Sequence, residues 1–254
     1  MVYWDRITLK TRAKTVLRNS YWMTLLTLFV GYILGADADN SGIVYLLSVS
    51  WLTIISPLVT LFRTDSVSSI MFGSVFFIGI LVLFFSIGYI FFIGSPIAVG
   101  KCRFLIGCRY DKKDISELFF AFRKENYSNI VKTMILKNLY ICLWSLLFII
   151  PGIIKSYEYI MVPYILAENP RISKDRVFEI SKNTTCGEKW NMFVLDLSFI
   201  GWRLLGMLAC CGIGVFFLNP YVQATQAELY GALRYKAVAN RICIPDEIGR
   251  ELFG

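Results

Sequence analysis

The chain has 254 residues, of which 56% are hydrophobic and 17% are charged, and its formal net charge is +8. Soluble globular domains contain roughly 45–50% apolar and about 25% charged residues, and the mean hydropathy here is +0.59, so an ordinary water-soluble domain is excluded. Histidine is absent and the seven cysteines show no C-x-x-C spacing, so we expect no metal site, no cofactor and no disulfide framework.

Long apolar runs with few or no charges follow one another along the chain. They cover residues 20–35, 43–62, 66–100, 134–154 and 193–226. A helix needs about 20 residues to cross a bilayer, and the last run is too long for a single crossing. These runs predict a polytopic membrane protein.

Three stretches of the chain are built alike. Each contains a charged amphipathic segment, an aromatic residue that starts an apolar run, a break, and a second apolar run with one proline. The aromatic residues are Trp22, Tyr127 and Trp190, the prolines are Pro96, Pro163 and Pro220, and the small residues four positions after the prolines are Gly100, Ala167 and Ala224. The pattern predicts a three-fold repeat of helical hairpins.

The three prolines are expected to kink the returning helix of each hairpin. Proline frees the carbonyl four residues earlier, and a neighbouring helix or hydroxyl must satisfy that carbonyl inside a membrane. The carbonyls concerned belong to Phe92, Tyr159 and Phe216. The kinks could surround a shared cavity, as in transporters, or let the hairpins pack closely against the small residues, and we favour close packing.

A charged amphipathic segment precedes each hairpin. Asp114 and Glu117 resemble a capping box at the start of the second segment, and Ser173 can start the third. The expected apolar faces are Leu9, Ala13, Val16 and Leu17; Ile115, Leu118, Phe119 and Phe122; and Val177, Phe178 and Ile180. We expect all three helices to lie on the cytoplasmic surface of the membrane.

Lysine and arginine cluster in four segments. Residues 1–18 hold five, 101–132 hold eight, 168–191 hold five and 234–254 hold four. Basic segments beside apolar spans stay in the cytoplasm, which explains the positive charge without nucleic-acid binding. An even number of crossings must then separate these segments, and Pro151-Gly152 and the glycines at 212–214 supply breaks for the turns.

The fold class that follows is all-α, a polytopic bundle of six core transmembrane helices in three hairpins, with both termini in the cytoplasm. The single membrane domain divides into a first hairpin (1–105) with an outer insertion (36–75), a second (106–169), a third (170–238) and a cytoplasmic tail (239–254). Within this scheme, either 43–62 is a re-entrant or interfacial helix or 66–100 crosses twice. We favour the former, because the 35 residues of 66–100 barely accommodate two spans and a turn.

Several short stretches of the sequence resemble a known bacterial family. Residues 143–157 read LWSLLFIIPGIIKSY, residues 161–170 read MVPYILAENP, and residues 195–202 read LDLSFIGW ahead of Gly212-Ile-Gly and Asn219-Pro-Tyr. They resemble the membrane family called domain of unknown function 975, most strongly over 96–233 and more weakly over 1–35, while 36–75 looks like an insertion. The resemblance implies an integral protein of the bacterial cell membrane, and it brings no established activity and no catalytic residues.

Polar residues within the apolar runs are the candidate site. A charge near the middle of a span, such as Arg203, costs about 2.5–3.5 kcal/mol on insertion scales and needs compensation. The expected intramembrane cluster is Asp196, Arg203, Gln223, Gln226 and Glu228, and the expected interfacial pair is Lys137 with Glu168. Lys155 and Glu158 should pair on one helix face near the outer headgroups. The cluster is either a polar path or a set of structural contacts between helices, and we favour the latter.

No catalytic motif stands out, and without histidine the usual general base is missing, so we expect no enzyme. The leading hypothesis is a membrane scaffold that binds the bilayer, anionic lipid and an unknown protein partner through its cytoplasmic helices. The alternative is a small-solute permease or efflux component with a polar path at the third hairpin. Accessibility of positions 203, 223 and 226 to aqueous thiol reagents tests that alternative, since uniform protection excludes a path.

Overall fold

The computed structural model describes residues 4–18, 20–36, 77, 79–82, 84–110, 114–209 and 213–248. This part of the chain is mostly helical and contains no strand, which confirms the all-α class. The α-helices are α1 (Arg6–Arg18), α2 (Tyr21–Ile33), α3 (Ser95–Cys108), α4 (Lys124–Leu147), α5 (Ile149–Glu158), α6 (Val162–Glu168), α7 (Lys174–Thr185), α8 (Lys189–Ala209) and α9 (Ile213–Ala239). The expected insertion at 36–75 lies almost entirely outside the described residues.

The returning helix of the first hairpin is long and contains one π-helical turn. Gly79–Cys108 is helical and apolar enough to cross a membrane, and a π-helical turn at Ile90–Gly94 leads directly into α3. Pro96 is the second residue of α3 but lies inside this continuous helix, so it offers no N–H to the carbonyl of Phe92 four residues earlier. The carbonyl of Phe92 accepts a hydrogen bond from the hydroxyl of Tyr127 at 2.9 Å, as the proline rule predicts.

The second hairpin turns earlier than the sequence indicates. Helix α4 ends at Leu147, and Phe148 is an extended residue between α4 and α5. Pro151 therefore lies in the first turn of α5, where a proline is well tolerated because that N–H has no partner within the helix. The prediction that Pro151-Gly152 itself forms the break is wrong by three residues. Gly152 allows the close return, since a Cβ there would lie 2.2 Å from Ser145 Oγ.

The third hairpin consists of α8 and α9, which pack against each other. Of the expected break at 212–214, Gly212 lies outside the described part, while Ile213 and Gly214 already belong to α9. Gly206 and Gly214 face each other near the turn, where a Cβ on Gly214 would lie 2.6 Å from the Gly206 carbonyl oxygen. Pro220 lies inside α9. The hydroxyl of Tyr21 donates to the carbonyl of Phe217 at 2.9 Å, one residue after the carbonyl that the proline rule marks.

The amphipathic segments pack in a cyclic order. Helix α1 packs on α9, the 3-10 helix Ile115–Phe122 packs on α3, and α7 packs on α5 and α6 as well as on α9. Each segment thus contacts the returning helix of the preceding hairpin, and α1 closes the ring on the third. At the same steps, Gly100 lies against the backbone of Leu118, and Ala224 clusters with Ala13 and Leu17.

The second amphipathic segment differs in detail from its prediction. It is a 3-10 helix rather than an α-helix, and its buried residues are Leu118, Phe120 and Ala121. With three residues per turn, positions 115, 118 and 121 share one face, so Phe119 and Phe122 are exposed. Asp114 caps the helix by accepting from the Ser116 N–H at 2.9 Å.

Exposed apolar and buried charged side chains occupy different parts of the chain. Most of the large apolar residues that are exposed lie within 22–33, 77–93, 139–154 and 190–205. The buried lysines and glutamates lie outside these ranges, at positions 101, 137, 158, 168, 188, 228 and 236. Besides Gly79–Cys108, one further described helix, Glu125–Leu147, is long and apolar enough to cross a membrane. The outer surface of one part of the molecule therefore resembles a surface that contacts lipid.

Candidate functional site

A buried ionic network joins the returning helices of all three hairpins. Its central residue is Glu168 at the end of α6, whose side chain is 0% exposed. Arg234 Nη1 of α9 lies 3.1 Å from Glu168 Oε1 in an ion pair, and the hydroxyl of Tyr230 donates to Oε2 at 2.6 Å. The Tyr230 ring stacks on Tyr164 with centroids 4.8 Å apart. The second and third hairpins are thus held together by a fully buried carboxylate.

Two further ion pairs connect the first hairpin to this centre. Arg109 at the end of α3 pairs with Glu228 of α9 at 2.9 Å, and a Cβ on Gly231 would lie 1.9 Å from the Arg109 guanidinium. Arg103 of α3 pairs with Glu117 of the 3-10 helix at 2.6 Å, and it donates to the Ala167 carbonyl at 2.8 Å. Each arginine has a glutamate partner, so the network is electrically balanced.

The expected pair of Lys137 with Glu168 does not form in the described structure, because Glu168 binds Arg234 and Tyr230. The rings of Tyr140 and Tyr159 lie 6.1 Å apart, and this register places Lys137 opposite the start of α6 rather than its end. Lys137 is nevertheless buried, at 4% exposure. The earlier turn at Phe148 accounts for part of the shift.

The expected intramembrane cluster divides into separate groups. Asp196 accepts a hydrogen bond from the hydroxyl of Tyr157 at 2.9 Å, and Gln226 is half-buried on α9. Glu228 belongs instead to the ionic network, through Arg109, so it does not lie opposite Asp196 as the sequence suggested. Arg203 is exposed on α8, and Gln223 is buried on α9.

Lys155 and Glu158 form the expected pair, at 2.8 Å. The other oxygen of Glu158 pairs with Lys189 at 2.6 Å, and the hydroxyl of Ser181 donates to the Glu158 carbonyl at 2.6 Å. Lys189 and Ser181 belong to the third basic segment. The pair therefore lies beside that segment, whereas the sequence predicted the pair and this segment at opposite faces of the membrane.

A docked carboxy-terminal segment was not foreseen from the sequence. Arg176 of α7 holds Glu247 by two hydrogen bonds of 3.0 Å, and Arg234 donates to the Ile248 carbonyl at 3.0 Å. Donation from Arg176 lowers the pKa of Glu247, so this carboxylate stays ionised and paired at neutral pH. Burial raises the pKa of the Cys243 thiol beside it to about 11. The charges at 176 and 247 lie too far apart in sequence for periodicity to pair them.

Helix α1 carries the most basic surface of the described chain. Its buried stripe is Leu9, Ala13 and Leu17, which matches the predicted face. Lys10 donates to Ser198 Oγ at 2.7 Å, and its ammonium lies 4.5 Å from the centre of the Phe199 ring. The helix contains no acidic residue. Its exposed cations are Arg6, Arg12, Lys14 and Arg18.

These features define the class: an all-helical protein with an extensive apolar outer surface, helices able to cross a membrane, and a charged region whose ion pairs are buried. Within the described residues, no three His, Cys, Asp or Glu side chains come together as a metal site requires. Residues 146–237 match the model of the family DUF975, described as a protein of unknown function, which confirms the resemblance over those residues. No curated protein and no solved structure matches the chain.

Proposed function

We propose that the protein is a non-enzymatic scaffold of the bacterial cell membrane that binds anionic lipid through helix α1. Its six core helices enter the membrane as three hairpins from the cytoplasmic side, and both termini lie in the cytoplasm. The clustering of lysine and arginine between the hairpins supports this orientation. Insertion into the membrane is supported by the exposed apolar residues of four segments, namely α2, residues 77–93, α4 and α8.

The observation that carries the lipid proposal is the surface of α1. Its apolar stripe is buried by packing against α9, so that face of the helix is not available for insertion between lipids. Four cations point to the surface, and among the described residues Arg6, Arg12 and Arg18 form no ion pair with a carboxylate. Like charges on one short helix repel each other. An anionic lipid surface offsets that repulsion, because it attracts each nearby basic residue by about 1 kcal/mol.

The third amphipathic helix is a natural comparison. Helix α7 also carries lysine and arginine, but Asp175 and Glu179 lie on the same helix. Arg176 is engaged by Glu179 at 2.8 Å and by Glu247. The charge of α7 is therefore largely neutralised within the protein, whereas that of α1 is not.

The lipid proposal predicts a loss of anionic-lipid binding when the cations of α1 are removed. We expect the full-length triple variant Arg6→Gln, Arg12→Gln and Arg18→Gln, in nanodiscs of mixed phosphatidylcholine and phosphatidylglycerol, to retain several-fold less phosphatidylglycerol than the wild type. Retained lipid is measured by mass spectrometry after extraction. The difference should shrink as salt rises, because screening weakens contacts between exposed charges.

The matched control removes three exposed lysines elsewhere, with Lys132→Gln, Lys174→Gln and Lys182→Gln. It changes the net charge equally and should retain phosphatidylglycerol almost as the wild type does. Equal retention by the wild type and the α1 variant at low salt would contradict the proposal.

The permease alternative receives less support. A polar path between the hairpins needs Arg203 to be enclosed by them, and its side chain is exposed. Asp196 is occupied by Tyr157, and Glu228 by Arg109. The polar residues of the third hairpin thus serve contacts between helices, which is the role that the scaffold proposal assigns to them.

A further inference from the structure

Helix α4 changes its surface half way along. Its exposed residues before position 133 are polar, namely Glu125, Ser128 and Lys132. From Leu139 onward the exposed residues are almost all apolar, and Leu146 is 84% exposed. By composition α4 is long enough to cross a membrane, but only its second half presents a surface that lipid would accept.

The returning helix α5 shows the same limit. Ile150, Ile153 and Ile154 are exposed, and Lys155 with the exposed Ser156 follows at once. At about 1.5 Å per residue, the apolar part of α4 from Leu139 to Leu147 is only about 13 Å long. The hydrocarbon core of a bilayer is about 30 Å thick. The apolar tip of this hairpin therefore matches one leaflet rather than two.

A collar of lysine and aromatic residues marks the base of the tip. Lys155 and Lys189 share the carboxylate of Glu158, and the Lys155 ammonium lies 5.4 Å from the centre of the Trp144 ring. Trp190, next to Lys189, is 70% exposed. Tryptophan and snorkelling lysine are typical of the level of the lipid headgroups.

The neighbouring helix α8 starts from the same collar and reaches further. Its exposed apolar residues begin at Trp190 and continue to Leu205, and its 21 residues span about 30 Å. The collar thus begins two apolar surfaces of different depth. Because the apolar surface of the α4–α5 tip is continuous with that of α8, the membrane that would surround α8 would also cover the tip. Lipid is therefore the favoured occupant of the shorter surface.

We propose that residues 139–154 form a half-membrane hairpin that contacts the acyl chains of the cytoplasmic leaflet and turns back near the bilayer centre. The inference rests on the proposed membrane insertion and revises one part of it, since the second hairpin then crosses the membrane not at all. Zero crossings is still an even number, so the basic segments on either side of this hairpin keep a common side.

The test uses the full-length chain with its native cysteines replaced, reconstituted in liposomes. Single cysteines are placed at Phe148, Leu146, Leu139 and, for comparison, Leu204 of α8. A membrane-impermeant maleimide is added from each side, and a bimane probe on each cysteine is quenched by lipids that carry a spin label at a shallow or a deep acyl position. All four native side chains are exposed, so substitution leaves the core intact.

We expect Phe148→Cys and Leu146→Cys to resist labelling from both sides and to be quenched most strongly by the deep label. Leu139→Cys should be quenched more by the shallow label. Labelling of Phe148→Cys from the outer side alone overturns the inference and supports a full crossing. Disulfide-linked dimers of Phe148→Cys without lipid quenching overturn it in favour of a second copy of the chain. Free labelling of Leu204→Cys in intact liposomes shows instead that the membrane proposal itself fails.

Discussion

Replacing Glu168 by glutamine should lower the free energy of unfolding by about 3–5 kcal/mol, because it removes the buried negative charge that pairs with Arg234. The glutamate side chain is 0% exposed and that of Arg234 is 15% exposed, so water reaches only the arginine side of the pair. Glutamine keeps the size of the side chain, so the effect reports the charge and not the packing. The measurement is the midpoint of denaturant unfolding of the full-length protein in detergent.

The chain offers a matched control in Glu125→Gln. Glu125 also pairs with an arginine, Arg171, but both side chains are 74% exposed, and exposed pairs contribute about 0–1 kcal/mol. We expect its unfolding midpoint to stay close to that of the wild type. Similar midpoints for the two variants would show that the network around Glu168 does not hold the hairpins together.

The substitution Gly100→Ala should be almost as damaging, for a steric reason. A Cβ at Gly100 would lie 2.0 Å from the carbonyl oxygen of Leu118 and 2.6 Å from its carbon. These are backbone atoms of the packed 3-10 helix, so they cannot move aside as the end of a flexible side chain could. Overpacking a tight contact costs about 1–3 kcal/mol and occasionally more, so we expect a lower unfolding midpoint and a smaller yield of monodisperse protein.

Gly201→Ala is the control for this prediction. Gly201 lies in α8 with no atom within 4 Å of its added Cβ, and alanine is the better helix former by about 1 kcal/mol. Its midpoint should match or exceed that of the wild type. If Gly100→Ala were equally harmless, the 3-10 helix would not pack on α3 as closely as the structure shows.

The repeated pattern of the three hairpins could be predicted from the sequence, because it depends on residues that are close together in the chain. The spacing from each proline to a small residue predicted close packing at Gly100 and Ala224, and in the structure both lie against amphipathic segments. The freed carbonyl of Phe92 does accept a hydroxyl, from Tyr127. The buried face of α1 followed from its helical period. These features are set by residues within a few turns of each other, so periodicity and backbone chemistry suffice to find them.

The candidate site was harder to predict because its partners come from distant parts of the chain. Glu168 was paired with Lys137 on the assumption of a straight hairpin that turns at Pro151, but the turn occurs at Phe148 and the returning helix is interrupted between Glu158 and Val162. The contact of Glu168 with Arg234 spans two hairpins. No signal in a single sequence fixes such a pairing.

The central claim is that every basic segment lies on the cytoplasmic side of a membrane, and single-cysteine labelling in right-side-out spheroplasts tests it most directly. Four full-length variants each keep a single cysteine, one in each basic segment. The positions are Arg12→Cys, Lys132→Cys, the native Cys186 and Arg241→Cys, and all four are exposed. We predict that an impermeant maleimide labels none of the four in intact spheroplasts and all four after permeabilisation. Labelling of any one of them in intact spheroplasts would contradict the common side on which the three inserted hairpins depend.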